Sequence, residues 1–272
     1  MNAIQIGYAI DFYTNLTHAS RFYNIEKNKA FNDAIMKKID SITDTINSNQ
    51  LTGIDRIQKY RDELYTLLKT SSTVPTNIGT YNTDVYINHV DYPIDYQTFA
   101  ALTLTVGGNT TYGRETTYNK RGPLLECSFR KPTNKKPYFL EDSTGLLIYK
   151  GDSSAITSCK LDYIKQPAVF NMGDESQYIN AGAGVVTIGA SYIATELSVQ
   201  NGVTYQIGTQ FTAAVTTTLA SGQVILASNT TTTDMPEKCQ DELVKLAASI
   251  LLGVTSAFEN SAFAEKETKW HT

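Results

Sequence analysis

The chain has 272 residues, a net charge of −4 and a pI near 5.4. A chain of this length buries enough apolar surface to fold without a disulfide or a structural metal. The mildly acidic balance gives no overall attraction to nucleic acid or to an anionic membrane, so contacts of that kind would need a local basic patch.

The N-terminal part of the chain carries two apolar stripes with helical spacing. Between Arg21 and Asn47 apolar residues recur every three or four positions, with Lys and Asp between them. This pattern predicts a long amphipathic helix. A similar stripe restarts after Gly53 and continues to about Lys69. Together the stripes predict a helical hairpin over residues 1–74.

From Tyr81 the sequence changes to short β-branched and aromatic runs bounded by turn residues. The runs TDVYINHV, FAALTLTVG, GPLLECSFRK, GLLIYKG and AITSCKLDYIKQPAV predict strands, and Gly107-Gly108-Asn109 predicts a turn. We expect an antiparallel β domain over residues 75–170. The stretch from Arg114 to Lys136 is expected to be a long basic excursion outside the core.

The next stretch has an unusual composition. From Gln166 to Glu237 the chain contains no Lys or Arg and is rich in Thr, Gly, Ala, Val and Tyr. Asn201-Gly202 predicts a hairpin between alternating strands. Ser221-Gly222 predicts the turn of a second pair within TTTLASGQVILAS. We interpret residues 171–235 as an inserted all-β module.

A final helix is predicted over residues 236–272, with a frayed tail. Asp234 is the expected N-cap, and Pro236 is expected in the first turn. We expect this helix to pack on the N-terminal helices rather than on a partner. The fold class is therefore α+β. The expected apolar face of the helix consists of Leu243, Leu246, Ala247, Ile250, Leu251, Val254 and Phe258.

The cysteines and the apolar runs bear on the compartment. Cys127, Cys159 and Cys239 are odd in number and far apart, which favours reduced, buried thiols over disulfides or a metal pair. Asp11 interrupts the first apolar stretch, which has no basic region before it, so a secretory signal is not expected. The longest apolar run, 246–254, is too short to cross a bilayer. We expect folding in a cytoplasm and no membrane contact.

Histidine limits the search for catalytic chemistry. His18, His89 and His271 are the three histidines, and none adjoins a nucleophile motif. No glycine-rich phosphate loop is present either. The sequence therefore predicts no enzyme activity and no cofactor.

One group of residues could be interpreted either as a metal site or as a turn. His89, Asp91 and Asp95 carry ligand atoms at short spacing. Pro93 lies among them, however, and the same spacing is typical of a turn. We favour a solvated or capping role for these side chains and expect no bound metal.

The candidate site is a cluster of basic residues on an acidic chain. Only Glu115 and Glu126 oppose it between residues 114 and 136. The cluster fits three situations: a solvated loop, contact with DNA phosphates, or contact with an acidic face of a neighbouring subunit. Its members are Arg114, Lys120, Arg121, Arg130, Lys131, Lys135 and Lys136.

Three motifs suggest a family. They are the stretch Leu161-Asp162-Tyr163-Ile164-Lys165-Gln166-Pro167, the helix start Asp234-Met235-Pro236-Glu237, and the repeat-like Val203–Phe211. In this order, after a helical hairpin and a strand domain, they resemble head-to-tail connector or neck ring proteins of tailed bacteriophages that infect Bacteroidetes, including crAss-like phages. The resemblance touches most of the chain, through short motifs.

The resemblance implies a function without catalysis. It implies a structural virion protein in the neck or tail region, assembled in the host cytoplasm as a homo-oligomeric ring, often twelve-fold, between portal and tail around the DNA channel. Its partners would be further copies, the portal, other connector or tail proteins and, non-specifically, packaged DNA. The β module would dock neighbouring virion proteins. The alternative is a tail, collar or fibre component that acts as a receptor- or carbohydrate-binding module.

Overall fold

The computed structural model describes most of the chain, namely residues 1–15, 22–48, 53–81, 84–127, 129–180, 182, 185–187, 189–200, 203–214, 216–219 and 221–253. The predicted α+β class is confirmed. Contacts divide the chain into two compact units. We call residues 42–166 the sandwich unit, and residues 1–41 with 167–272 the helix–sheet unit.

Helices occur in both units. The predicted helix from Arg21 begins at Asn24, and the second predicted helix ends at Leu64 instead of Lys69 because a strand begins at Leu68. None of the helices that the structure describes is long and apolar enough to cross a membrane. The helices are α1 (Ala3–Asn15), α2 (Asn24–Ser48), α3 (Gly53–Leu64), α4 (Tyr118–Glu126) and α5 (Glu237–Leu251).

The sandwich unit contains two sheets. One has the order β1-β9-β4-β5 and the other β2-β3-β8-β7-β6, and every pair except β6–β7 is antiparallel. The strands are β1 (Leu68–Thr73), β2 (Thr76–Tyr81), β3 (Val85–Asp91), β4 (Tyr96–Val106), β5 (Asn109–Tyr112), β6 (Arg114–Glu115), β7 (Tyr138–Glu141), β8 (Gly145–Lys150) and β9 (Ile156–Lys165).

The core of the sandwich unit lies between the two sheets. Alternate residues of β4 and β9 meet residues of β3, β7 and β8 in one buried cluster, because successive side chains of a strand point to opposite faces. The rings of Phe99 and Phe139 lie 4.7 Å apart across this interface. The turn predicted between β4 and β5 is confirmed: Gly107 and Gly108 both have positive φ, which glycine adopts without a steric cost.

A helix packs on each of the two sheets. Helix α3 packs on β4, β1 and β9. Helix α4 places Leu125 against Val85, Leu140 and Tyr149. The strand predicted for GPLLECSFRK is therefore wrong. A short helix covers this sheet face with one buried leucine, and that tertiary contact outweighs the β propensity of the run.

The helix–sheet unit contains residues 167–237 of the stretch without Lys or Arg, which we call the Lys/Arg-free stretch. Its largest sheet has the order β10-β17-β12-β15, and β11–β16 and β13–β14 form separate antiparallel pairs. The strands are β10 (Ile179–Asn180), β11 (Val185–Val186), β12 (Ser191–Ala194), β13 (Ser198–Gln200), β14 (Val203–Tyr205), β15 (Gln210–Thr212), β16 (Thr217–Thr218) and β17 (Gln223–Leu226).

Helix α1 was not predicted, and it packs directly on the sheet of the Lys/Arg-free stretch. Ile4 is buried with Ile193 of β12 and Ile225 of β17. The Tyr8 hydroxyl donates a hydrogen bond to the carbonyl oxygen of Thr195. The Lys/Arg-free stretch and helix α1 therefore share one core.

The two hairpins predicted in this stretch have different outcomes. Strands β13 and β14 pair as predicted, although the turn residues 201 and 202 lie outside the described residues. The hairpin predicted around Ser221-Gly222 is wrong, because β16 pairs with β11 and β17 pairs with β10 and β12. Gly222 still forms a turn with positive φ.

Helix α5 begins one residue after its proline. Pro236 occupies the N-cap without a side-chain cap, so the predictions that Asp234 is the cap and that Pro236 lies in the first turn are both wrong. The Asp234 carboxylate accepts a hydrogen bond from the backbone N–H of Ala168 instead. Helix α5 packs on α1, and Lys38 of α2 forms an ion pair with Glu242 at 2.6 Å. Val254, Phe258 and the tail lie outside the described residues.

Candidate nucleic-acid interface

The basic cluster lies on the sandwich unit, in residues 114–136, which we call the basic segment. Arg114 is on β6, and Lys120 and Arg121 are on α4. Arg130 and Lys131 follow in a turn, and the backbone N–H groups of both residues donate hydrogen bonds to the Cys127 carbonyl oxygen. The backbones of Thr133 and Lys136 then form hydrogen bonds with each other across a tight turn, which contains Lys135.

Two of the seven cations contact groups within the unit. The Arg121 guanidinium lies over the Tyr149 ring, 5.4 Å from its centroid. Lys131 Nζ lies 3.3 Å from Asp84 Oδ2. A cation over an aromatic face and an ion pair both stabilise local structure. We assign these two side chains to holding the segment in place.

The other five cations are exposed. No carboxylate of the described residues lies within ion-pair distance of Arg114, Lys120, Arg130, Lys135 or Lys136. Unneutralised cations on a surface attract phosphate, and their attraction depends on salt.

The backbone brings three of these cations close together. The Arg114 N–H donates a hydrogen bond to the Pro137 carbonyl oxygen at 2.9 Å. Arg114 therefore lies beside the residue that follows Lys136. The Thr111 hydroxyl donates to the Lys135 carbonyl oxygen at 3.0 Å. The backbones of Arg114, Lys135 and Lys136 therefore lie near one another at the β5–β6 corner.

Both acidic residues of the segment have partners of their own. Glu115 pairs with Arg56 at 3.2 Å, and Glu126 accepts a hydrogen bond from the Tyr81 hydroxyl at 3.5 Å. These contacts direct the two negative charges to neighbours, which leaves the five exposed cations without local neutralisation.

Neighbouring loops fix the segment. Gly151 meets the segment at Pro132: a Cβ on Gly151 would lie 2.8 Å from the Pro132 carbonyl oxygen. A hydrogen bond from Asn134 is the main cause that lowers the pKa of Asp152 to about 2, and Ser154 adds to it. Burial lowers the pKa of Lys150 nearby, and its Nζ lies 4.9 Å from the Tyr86 ring centroid.

Two exposed aromatic side chains lie among the cations, and the sequence reasoning missed them. Phe129 is 98% exposed and precedes Arg130, and Tyr118 is 58% exposed and precedes Lys120 by two residues. The Tyr118 hydroxyl donates to Asp142 at 2.9 Å, which raises the pKa of the phenol. Aromatic rings among basic residues are typical of surfaces that bind single-stranded nucleic acid. Their adjacency to Arg and Lys was the signal available in the sequence.

The residues weighed as a metal site are engaged elsewhere. His89 lies 3.4 Å from both Asp91 and Thr144. Asp95 accepts from Tyr163 and pairs with Lys69, each at 2.8 Å. Hydrogen bonds to Lys69 first and then to Tyr163 lower its pKa. Within the described residues no group of three or more potential ligands is placed to hold a metal. His18 and His271 lie outside those residues.

The chain was also compared with known proteins. No protein-family model matches it, and no curated protein has a sequence that matches it.

Proposed function

We propose that this chain is a non-enzymatic structural protein of a tailed-phage virion, a subunit of the ring that connects portal and tail around the DNA channel. The observation that carries the proposal is the set of five exposed cations with no carboxylate partner among the described residues. The resemblance of Leu161–Pro167 and Asp234–Glu237 to connector proteins supports the same assignment.

In a ring, the basic segment of every subunit would lie at an equivalent position around the DNA channel. A cyclic assembly repeats each surface patch around its axis, so every subunit presents the same cations to the lumen. The summed patches attract the phosphate backbone without reading the base sequence. Packaged DNA that passes through the ring is the partner of these cations. The protein partners of the subunit are further copies of the chain, the portal and neighbouring connector or tail proteins.

The DNA contact is tested by titrating mixed-sequence duplex DNA at several salt concentrations. Arg130, Lys135 and Lys136 are changed together to Gln. We expect weaker binding and a salt slope shallower by about 0.9 for each phosphate contact removed. The matched control changes Lys29, Lys37 and Lys238 to Gln, since these lysines are also exposed. Its affinity should equal that of the unchanged protein. Equal slopes in both triple variants would contradict the DNA contact.

A further inference from the structure

The helix–sheet unit contains a cavity of about 420 Å³ that opens to solvent. Residues at the start of α2 form one wall, and the segment 171–177 forms the other. Its lining is rich in side-chain amides: Asn24, Asn28, Asn171 and Gln177 contribute to it, together with Tyr23 and Asp174. This site lies apart in the sequence from the basic segment and shares no residue with it.

Hydrogen bonds between the two walls fix the shape of the cavity. Asn28 Oδ1 accepts from the Met172 N–H, and Asn28 Nδ2 donates to Asn171 Oδ1, both at 2.9 Å. Asn24, which is 5% exposed, donates to the Gly173 carbonyl oxygen at 3.2 Å. A pocket held in one shape before binding loses less conformational entropy when a ligand enters.

Glycine at position 173 lets the second wall approach the sheet. Gly173 has φ of +80°, and a Cβ at this position would lie 2.4 Å from Ile225 Cδ1. The positive φ is what requires glycine here, since the end of the Ile225 side chain can shift to admit a Cβ. The wall is therefore anchored to the buried core of the unit.

The cavity keeps hydrogen-bonding capacity that the protein does not use. Asn171 Nδ2 and Gln177 Nε2 donate to no group among the described residues, although the oxygen atoms of both side chains accept hydrogen bonds. The Ser176 backbone N–H lowers the pKa of Asp174, which keeps this carboxylate ionised and able to accept further bonds. Donors and a strong acceptor therefore face the same space.

An aromatic ring stands at the rim. Tyr23 is 67% exposed, and its backbone is held at the start of α2 because its N–H donates to Glu26 Oε2 at 2.8 Å. The ring offers a flat apolar surface beside polar groups, which is the arrangement that suits a ligand with one apolar and one hydroxylated face.

The charge of the site selects among hydroxylated ligands. Among the described residues that line the cavity there is no Lys or Arg, and the one charged group of that lining is the Asp174 carboxylate. Phosphorylated or carboxylated ligands would meet repulsion without a compensating cation. We propose that this cavity binds a neutral saccharide unit, with amides and Asp174 bonding its hydroxyl groups and Tyr23 stacking on its ring. This inference goes beyond the ring function and does not depend on it.

Saturation-transfer NMR on the full chain tests the site with methyl glycosides of neutral hexoses as probes. We expect transfer to at least one neutral glycoside. Tyr23→Ala should weaken its binding about tenfold, since the ring contact is lost. The matched control is Tyr65→Ala in the sandwich unit, where Tyr65 is 57% exposed. It should bind as the unchanged protein does.

Asp174→Asn and Gln177→Ala separate a saccharide site from a non-specific aromatic contact. Both should weaken glycoside binding, because each removes a hydrogen-bonding group from the cavity. Circular dichroism confirms that each variant is folded. The proposal is overturned if no neutral glycoside shows transfer, if the Tyr23 and Tyr65 variants weaken binding equally, or if sialic acid binds better than every neutral hexose.

Discussion

The carbonyl oxygen of Val90 lies 2.0 Å from the point that a Cβ atom on Gly145 would occupy. Strands β3 and β8 therefore approach each other with no room for a side chain at this position. Backbone cannot move aside as the end of a flexible side chain can, so any larger residue displaces one of two central strands.

Gly145→Ala should destabilise the protein. Forcing an extra methyl group into a packed site costs about 1–3 kcal/mol, and backbone contact puts this change at the upper end. Urea denaturation measures the free energy of unfolding. Gly122→Ala is the control, because nothing lies within 4 Å of a Cβ there. It should leave stability unchanged or raise it. A Gly145 variant as stable as the Gly122 variant would refute the close approach.

The contact between α1 and the sheet of the Lys/Arg-free stretch is tested by shortening one isoleucine. Ile4 is 1% exposed and packs on Ile193 and Ile225. Ile4→Ala should lower the free energy of unfolding by about 2–5 kcal/mol, since it leaves a cavity in the core. Ile25→Ala removes the same atoms from a residue that is 77% exposed and should change stability by about 0.5 kcal/mol at most. Equal losses would show that α1 does not share this core.

Local composition predicts the strands that lie in β-branched and aromatic runs bounded by turn residues. Strands β3, β4, β8 and β9 lie in such runs and were all predicted. Helix α1 was not, because buried Ile4, Ile6 and Ile10 are interrupted by exposed apolar Tyr8 and Phe12. With apolar residues on both faces, no stripe stands out from the pattern.

Pairing between strands that lie far apart in the chain is the second feature that the sequence did not predict. Strand β16 pairs with β11, more than twenty residues earlier, so the local turn signal at Ser221-Gly222 indicated the wrong partner. The candidate site has the same limit. Lys131 meets Asp84 and Arg121 meets Tyr149 only in the folded chain, so the sequence could not separate these two cations from the five exposed ones.

The thiols should differ in reactivity. Burial raises the pKa of Cys159 to about 12, and Cys239 is 3% exposed, whereas Cys127 is partly exposed. Thiolate is the reactive form, so iodoacetamide at mildly alkaline pH should modify Cys127 first. Peptide mass spectrometry locates the label, and urea-unfolded protein is the control in which all three react. Rapid labelling of Cys159 in the folded chain would contradict its burial.

Acid should weaken the anchor of the basic segment. The pKa of Asp152 is lowered from 3.8 to about 2, so the folded state binds fewer protons than the unfolded state within that window. Its stabilisation is present above pH 3.8 and is lost as pH falls toward about 2. Asp152→Asn should therefore be less stable than the unchanged protein above the window and match it below. A stability difference that does not vary with pH would contradict this.

The proposed ring is tested most directly by the number of copies of this chain per particle, measured by quantitative mass spectrometry of purified virions against a labelled standard. A closed ring at the neck contains one set of symmetric copies, so we expect about twelve. A count in the hundreds, as in a capsid, or a count of about three to six, as in a fibre, would contradict the account.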